Sequence, residues 1–171
     1  MVELAEAENL LERAPRGPIR AVRWRALLER WSRDYRLAAP GVERRLLAAR
    51  GVDDVLNRLR DADSLHYVVT GSLAARRLAE YAPARLAMII VDDPTAAEQK
   101  LDLREVDAGG NVVLLRRDDD AVFERSVVEN GVRFAAPSQV AVDLLNGPGR
   151  NPSEGAALLD WMEAHEDAWR R

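Results

Sequence analysis

Apolar positions along the chain recur at helical spacing up to about residue 60 and thereafter as strand-like runs alternating with helical ones. Leu4, Leu10 and Leu11, with alanines between them, suit a short amphipathic helix that ends before the helix-breaking cluster Pro15-Arg16-Gly17-Pro18. Trp24, Leu27, Leu28 and Trp31 recur at helical spacing, with Arg23, Arg25, Glu29, Arg30 and Arg33 on the remaining faces. That is a second helix with its indoles turned inward. Pro40-Gly41 interrupts the chain again. Leu46, Leu47, Val52, Val55, Leu56 and Leu59 then predict two more helical pieces on either side of an Arg50-Gly51 turn, with Asp53 and Asp54 in the first turn of the later one, where the helix dipole favours acids.

From His66 the pattern turns to strands. Tyr67-Val68-Val69-Thr70 is a short β-prone run stopped by Gly71, and Ser72 is placed to cap a helix carrying Leu73, Ala74, Ala75, Leu78 and Ala79. Pro83 closes it. The run Leu86-Ala87-Met88-Ile89-Ile90-Val91 predicts a strand buried on both faces, and Pro94 starts a helix to about Leu101. Residues 103–106 and 112–115 read as strands, and Asn130-Gly131 is the strongest hairpin signal in the chain. Pro137-Ser138 opens a helix ended by Gly147-Pro148-Gly149, and Pro152 opens the last one. The expected fold class is α/β (α+β): a mixed sheet flanked by helices over residues 61–171, preceded by a small, mainly helical and basic segment over residues 1–60.

Composition narrows the chemistry. The 171 residues contain no cysteine, which excludes disulfides, thiolate nucleophiles and all-cysteine metal sites. His66 and His165 lie far apart with no nucleophile arrangement around them, and no metal or cofactor is expected. The first nine residues carry acids where a signal peptide needs basic ones, and the longest apolar run is far too short for a membrane span, so a cytoplasmic protein is expected.

The net charge of -4 hides an asymmetry. Residues 13–60 hold 13 arginines against five acids, an excess of +8, whereas residues 61–171 hold 12 basic residues against 20 acids. The arginines can serve phosphate contacts or pairs with the acidic half. If they touch nucleic acid, Arg16, Arg20, Arg23, Arg25, Arg30 and Arg33 are the expected contacts. They would bind phosphate and read no bases, because no plausible recognition helix precedes them.

Three local signals remain. Gly71-Ser72 between strand and helix reads either as a turn and cap or as a ligand-binding feature, since glycine permits close backbone approach to an anion. Asp92-Asp93 before Pro94 read as helix-capping residues or as metal ligands, and Asp118-Asp119-Asp120 as a solvated turn.

Several segments resemble one family when taken in order. These are Thr70-Gly71-Ser72-Leu73-Ala74-Ala75-Arg76-Arg77-Leu78-Ala79, then Tyr81-Ala82-Pro83, then Gly110-Asn111-Val112-Val113-Leu114-Leu115. The last is Ala136-Pro137-Ser138-Gln139-Val140-Ala141-Val142-Asp143-Leu144-Leu145-Asn146-Gly147-Pro148-Gly149-Arg150. They resemble the actinobacterial branch of the AbiEi antitoxins of type IV toxin–antitoxin systems, with the Trp24 to Tyr35 stretch similar to that family's Trp, Leu, Leu, Trp, Asp, Tyr segment. The resemblance implies a non-catalytic antitoxin or transcriptional regulator with a nucleotidyltransferase-like cognate toxin. It also implies a winged-helix DNA-binding domain ahead of the larger domain. Residues 1–14 are too few to form such a domain, so at most weak, non-specific DNA contact is expected of this chain.

The later part of the chain also resembles the nucleotidyltransferase fold, in which a strand leads to Gly-Ser, a helix follows, and the next strand carries magnesium-binding aspartates. Those aspartates must alternate with apolar residues to share one side. Residues 86–91 contain no carboxylate, and Asp92 and Asp93 are adjacent and come one step late. The expectation is a degenerate nucleotidyltransferase-like scaffold. The alternatives are an active magnesium-dependent nucleotidyltransferase, in which Asp92 would need Asp107 or Asp143 beside it, and a plain protein-binding scaffold module.

Overall fold

The computed structural model describes residues 2–14, 17–35, 37, 43–117 and 120–170. Its elements run α1 (Val2–Ala7), β1 (Leu11–Arg13), β2 (Ile19–Val22), α2 (Trp24–Asp34), β3 (Glu43–Leu47), α3 (Val52–Arg60), β4 (Tyr67–Thr70), α4 (Gly71–Ala75) and β5 (Ala87–Val91). They continue with α5 (Pro94–Lys100), β6 (Arg104–Glu105), β7 (Val112–Arg116), β8 (Val127–Glu129), β9 (Val132–Phe134), α6 (Pro137–Leu145), α7 (Asn151–Ala164) and α8 (Glu166–Trp169), with a single 3-10 turn at Asp120–Phe123.

Seven strands form one mixed sheet in the order β6-β3-β7-β5-β4-β9-β8. The β7–β5 and β4–β9 pairs are parallel and the others antiparallel. At the centre, β4 and β5 are buried at every position, which explains their unbroken apolar runs. The side-chain alternation assigns the two faces. Thr70 and Met88 point toward α4, α6 and α7. Tyr67 turns the other way, its hydroxyl donating to the Leu59 carbonyl of α3 at 3.1 Å. Arg44 reaches Glu98 of α5 on that same second face, at 2.7 Å. The sheet is therefore covered on both sides.

The mixed α/β class is as expected, and most elements after His66 fall where the spacing put them. The Asn130-Gly131 turn has both residues at positive φ, 51° and 78°, the conformation that matches the twist of a two-residue hairpin. Asp93 caps α5 by accepting from the amides of Thr95 and Ala96 at 2.9 and 3.0 Å.

Four local expectations are corrected. The first helix stops at Ala7, because Asn9 turns to φ 57° and sends Leu10 and Leu11 into a buried cluster with Ala5, Leu11 as part of strand β1. Leu46 and Leu47 belong to strand β3, not to a helix: β3 lies between β6 and β7, and Leu46 is fully buried. Asn111 holds that strand in place by mimicking a backbone partner, accepting from the Ala48 amide at 2.7 Å and donating to the Ala48 carbonyl at 3.1 Å. Ser72 lies inside the first turn of α4 and does not cap it; Thr70 is the N-cap and makes no side-chain cap bond. Of the two α2 indoles, Trp24 packs edge-on against Trp169, but Trp31 is 39% exposed.

Pro15, Arg16, Pro40, Gly41 and the first two aspartates of the Asp118 to Asp120 run lie outside the described residues.

Candidate functional site

Three of the segments that carried the family resemblance, those around Thr70, Trp24 to Tyr35 and Pro137 to Arg150, converge on one buried polar network. Asp143, in the middle of the apolar face of α6, is fully buried. It accepts from Thr70 Oγ1 of β4 at 2.5 Å and from Gln139 Nε2 at 2.8 Å, one helical turn earlier. Tyr35, just past α2, joins through its hydroxyl, which accepts from Gln139 Nε2 at 3.1 Å and from Arg117 Nη2 at 3.0 Å. Arg117 Nη2 also reaches the Leu37 carbonyl at 2.6 Å, and its guanidinium lies 5.0 Å from the Tyr35 ring centre. Asn146 ties the same two helices further along, donating to the Ser32 carbonyl at 2.7 Å. These residues hold α2 onto α6 and α6 onto β4.

Burial dominates the ionisation of this network. Desolvation pushes the Asp143 carboxyl up to about 6 against the pull of its hydrogen bonds from Thr70, Gln139 and Tyr35 and of the nearby Arg117 charge. The Tyr35 phenol is driven well above its ordinary value, first by burial and then by the neighbouring Asp143 charge.

Gly71 and Ser72 sit directly beside this network, both buried. Gly71 has φ +63°, and a Cβ built on it would lie 2.8 Å from the Met88 sulfur. The space in front of the Gly71 backbone is thus filled by the Met88 thioether, which also receives a contact from Asn151 Nδ2 at 3.7 Å. Gly71→Ala is expected to cost about 2 kcal/mol or more, from the left-handed backbone and the clash together. Urea denaturation checks this; an unchanged midpoint would mean that the backbone at 71 relaxes freely.

Beyond Met88, on the same sheet face, a cleft of about 280 Å³ opens over β3, β7 and β5. Its floor is Leu86, Met88, Val113 and Leu115, with Glu43, Arg45 and Asn146 at the rim. No carboxylate projects from β5 into it. Asp92 lies past the strand end and pairs with His66 Nδ1 at 2.6 Å, while that imidazole stacks on Phe123 at 3.9 Å. Asp93 is taken by its capping role and Asp143 by its buried network, and among the described residues no three His, Cys, Asp or Glu side chains are grouped to hold a metal.

The arginines of the basic segment divide into two sets. Arg25 pairs with Asp160 at 2.7 Å and Glu163 at 2.8 Å on α7, and these two acids hold its guanidinium above the usual arginine value. Arg30 pairs with Glu8 at 2.7 Å and Asp34 at 2.5 Å. Arg20 on β2 and Arg33 on α2 are exposed and have no ion pair among the described residues. Arg23 is exposed with only a 3.9 Å approach to Glu12. Arg16 lies outside the described residues. Much of the charge asymmetry is used internally, as Arg44 with Glu98 and Arg58 with Asp102 also show.

Sequence reasoning did not single out Asp143 as a structural centre. The available signal was a carboxylate inside the run Val140-Ala141-Val142-Asp143-Leu144-Leu145, a position that buries it unless the helix faces water.

Residues 20–161 match a protein family described as "Transcriptional regulator, AbiEi antitoxin, Type IV TA system". No curated protein and no solved structure matches the chain.

Proposed function

The chain belongs to the AbiEi family of type IV toxin–antitoxin antitoxins and transcriptional regulators, and from that premise we propose that it is a non-catalytic antitoxin acting in the cytoplasm through contacts with macromolecules. The observation that carries the non-catalytic reading is β5. In a nucleotidyltransferase-like scaffold, which the β4-Gly71-α4-β5 order supports, this strand would present two carboxylates on one side to hold magnesium at the nucleotide phosphates. Here all five residues of β5 are buried and apolar, and Met88 fills the approach to Gly71. Transfer chemistry has no group to act through at that position. Among the described residues no helix is long and apolar enough to cross a membrane.

The cognate toxin on this reading is nucleotidyltransferase-like and encoded beside the antitoxin. Co-expression of the chain with that toxin is expected to restore growth. Growth inhibition that persists unchanged when the chain is present would overturn the antitoxin assignment.

A second, regulatory role through DNA is favoured by the exposure of Arg20, Arg23 and Arg33 on β2 and α2, while Arg25 and Arg30 are committed to acids within the chain. Contacts of this kind position a protein on the phosphate backbone and carry no base sequence.

A further inference from the structure

We propose that a second pocket, between α3, the end of α4 and the β8–β9 turn, binds a phosphoryl group carried by a mononucleotide or by a nucleic-acid backbone. The pocket has a volume of about 170 Å³ and is lined by three arginines, Arg60, Arg76 and Arg77, and by one carboxylate, Glu129, which pairs with Arg77. Arg76 is paired outward with Asp53 at 2.7 Å, so the local balance remains one positive charge in excess. That excess is Arg60, for which no ion pair exists among the described residues. The site owes nothing to the antitoxin reading and lies away from the Gly71–Met88 contact.

Three features distinguish this cluster from a solvated basic patch. Arg77 has a side chain only 15% exposed, its guanidinium 4.1 Å from the centre of the Phe134 ring, so one donor group is fixed before any ligand arrives. The Arg60 stem runs against the bare Cα of Gly131, where an added Cβ would stand 3.5 Å from Arg60 Cγ, so the glycine leaves room for that stem at the pocket. The floor is apolar, with Leu73 and Phe134 excluding water beneath the cations and strengthening their field.

The size selects the ligand chemistry. At about 170 Å³ the pocket is smaller than sites that enclose a whole small-molecule ligand and suits a tetrahedral anion with its first contacts. The remainder of the ligand must lie outside, past Asn130. Guanidinium forks match phosphate oxygens in pairs, and Arg60, without an ion pair among the described residues, and Arg77 both line this pocket. Glu129 is the half-exposed partner of Arg77, and the two donors that Arg77 gives it are those a phosphate oxygen would take over.

Isothermal calorimetry on the full chain, with AMP and with a thymidine trinucleotide lacking terminal phosphates, tests the assignment. At least one probe is expected to bind. Arg60→Ala should weaken it about tenfold, and Glu129→Gln, which frees Arg77, should tighten it about threefold. Binding by AMP alone assigns the site to phosphomonoesters; binding by the trinucleotide assigns it to the nucleic-acid backbone. Because Arg60 and Glu129 are exposed, both variants should keep the parent melting temperature. Absence of binding by both probes at millimolar concentration, or affinity unmoved by Arg60→Ala, overturns the proposal.

Discussion

Asp143→Ala is expected to destabilise the chain by about 3 to 5 kcal/mol, enough to unfold much of a marginally stable domain. The carboxylate is fully buried, and its removal leaves Thr70, Gln139 and Tyr35 without their shared acceptor in a water-excluded place. Asp143→Asn gives a different result, because the amide keeps the shape and one acceptor while carrying no charge. The parent and Asp143→Asn are separated by pH. Burial raises the folded carboxyl to about 6, so between roughly pH 4 and pH 6 the native state holds a proton that the unfolded chain has released. The contribution is fully present below the ordinary aspartate value and is lost as pH rises through about 6. A displacement of this size corresponds to about 3 kcal/mol. The difference in unfolding free energy between parent and Asp143→Asn should therefore shift against the parent from pH 4 to pH 7, while the variant lacks this component. Guanidinium titrations at these pH values measure it. A pH-independent difference would show that Asp143 is ionised throughout, and the burial argument would fail.

The same residues explain which parts of the fold were legible in the sequence. The strongly periodic or punctuated segments were: β4, β5, the Asn130-Gly131 hairpin, α5 behind Asp93-Pro94 and α6 behind Pro137 each follow from residues close in sequence. β3 was not, because Arg44-Arg45-Leu46-Leu47 has no alternation by itself. It becomes a strand through pairing with β7 and through the Asn111 side chain, a partner 63 residues away. Leu10 and Leu11 misled for a similar reason, since the small cluster with Ala5, Val22, Ala26 and Leu27 decides their conformation.

The candidate site was legible in outline only. Gly71 and the carboxylate-free β5 were visible as residues, but Met88 filling the space before Gly71 depends on sheet register and on α7. The arginine excess was visible as a count, and its division into paired and free groups was not. That Arg25 is spent on Asp160 and Glu163, residues more than 130 positions later, depends on how α2 lies against α7. Pairing across such a separation leaves no local trace in the sequence.

That division sets the expected behaviour toward DNA. Counting every arginine proposed from the sequence would allow four or more phosphate contacts; the structure leaves Arg20, Arg23 and Arg33 as the exposed, weakly paired or unpaired ones among the described residues. Three contacts give a slope of log affinity against log salt of about -2.7 on duplex DNA, at roughly -0.9 for each phosphate neutralised. A fluorescence-anisotropy titration from low to physiological salt is expected to return a slope between about -2 and -3, and a scrambled duplex should bind equally well. Replacing Arg20, Arg23 and Arg33 together by alanine should lower the low-salt affinity by at least about a hundredfold and remove most of the slope. Arg25→Ala and Arg30→Ala act differently. They remove links to α7 and to Glu8 just past α1, so they should lower the melting temperature and leave the slope unchanged, since neither guanidinium is available to a phosphate without giving up its acids. Single variants of Arg20, Arg23 and Arg33 should each reduce the slope by about one. Tight, sequence-selective binding that persists at high salt would contradict this account, because three phosphate contacts cannot supply it. A reading surface for base edges would then have to exist elsewhere on the chain.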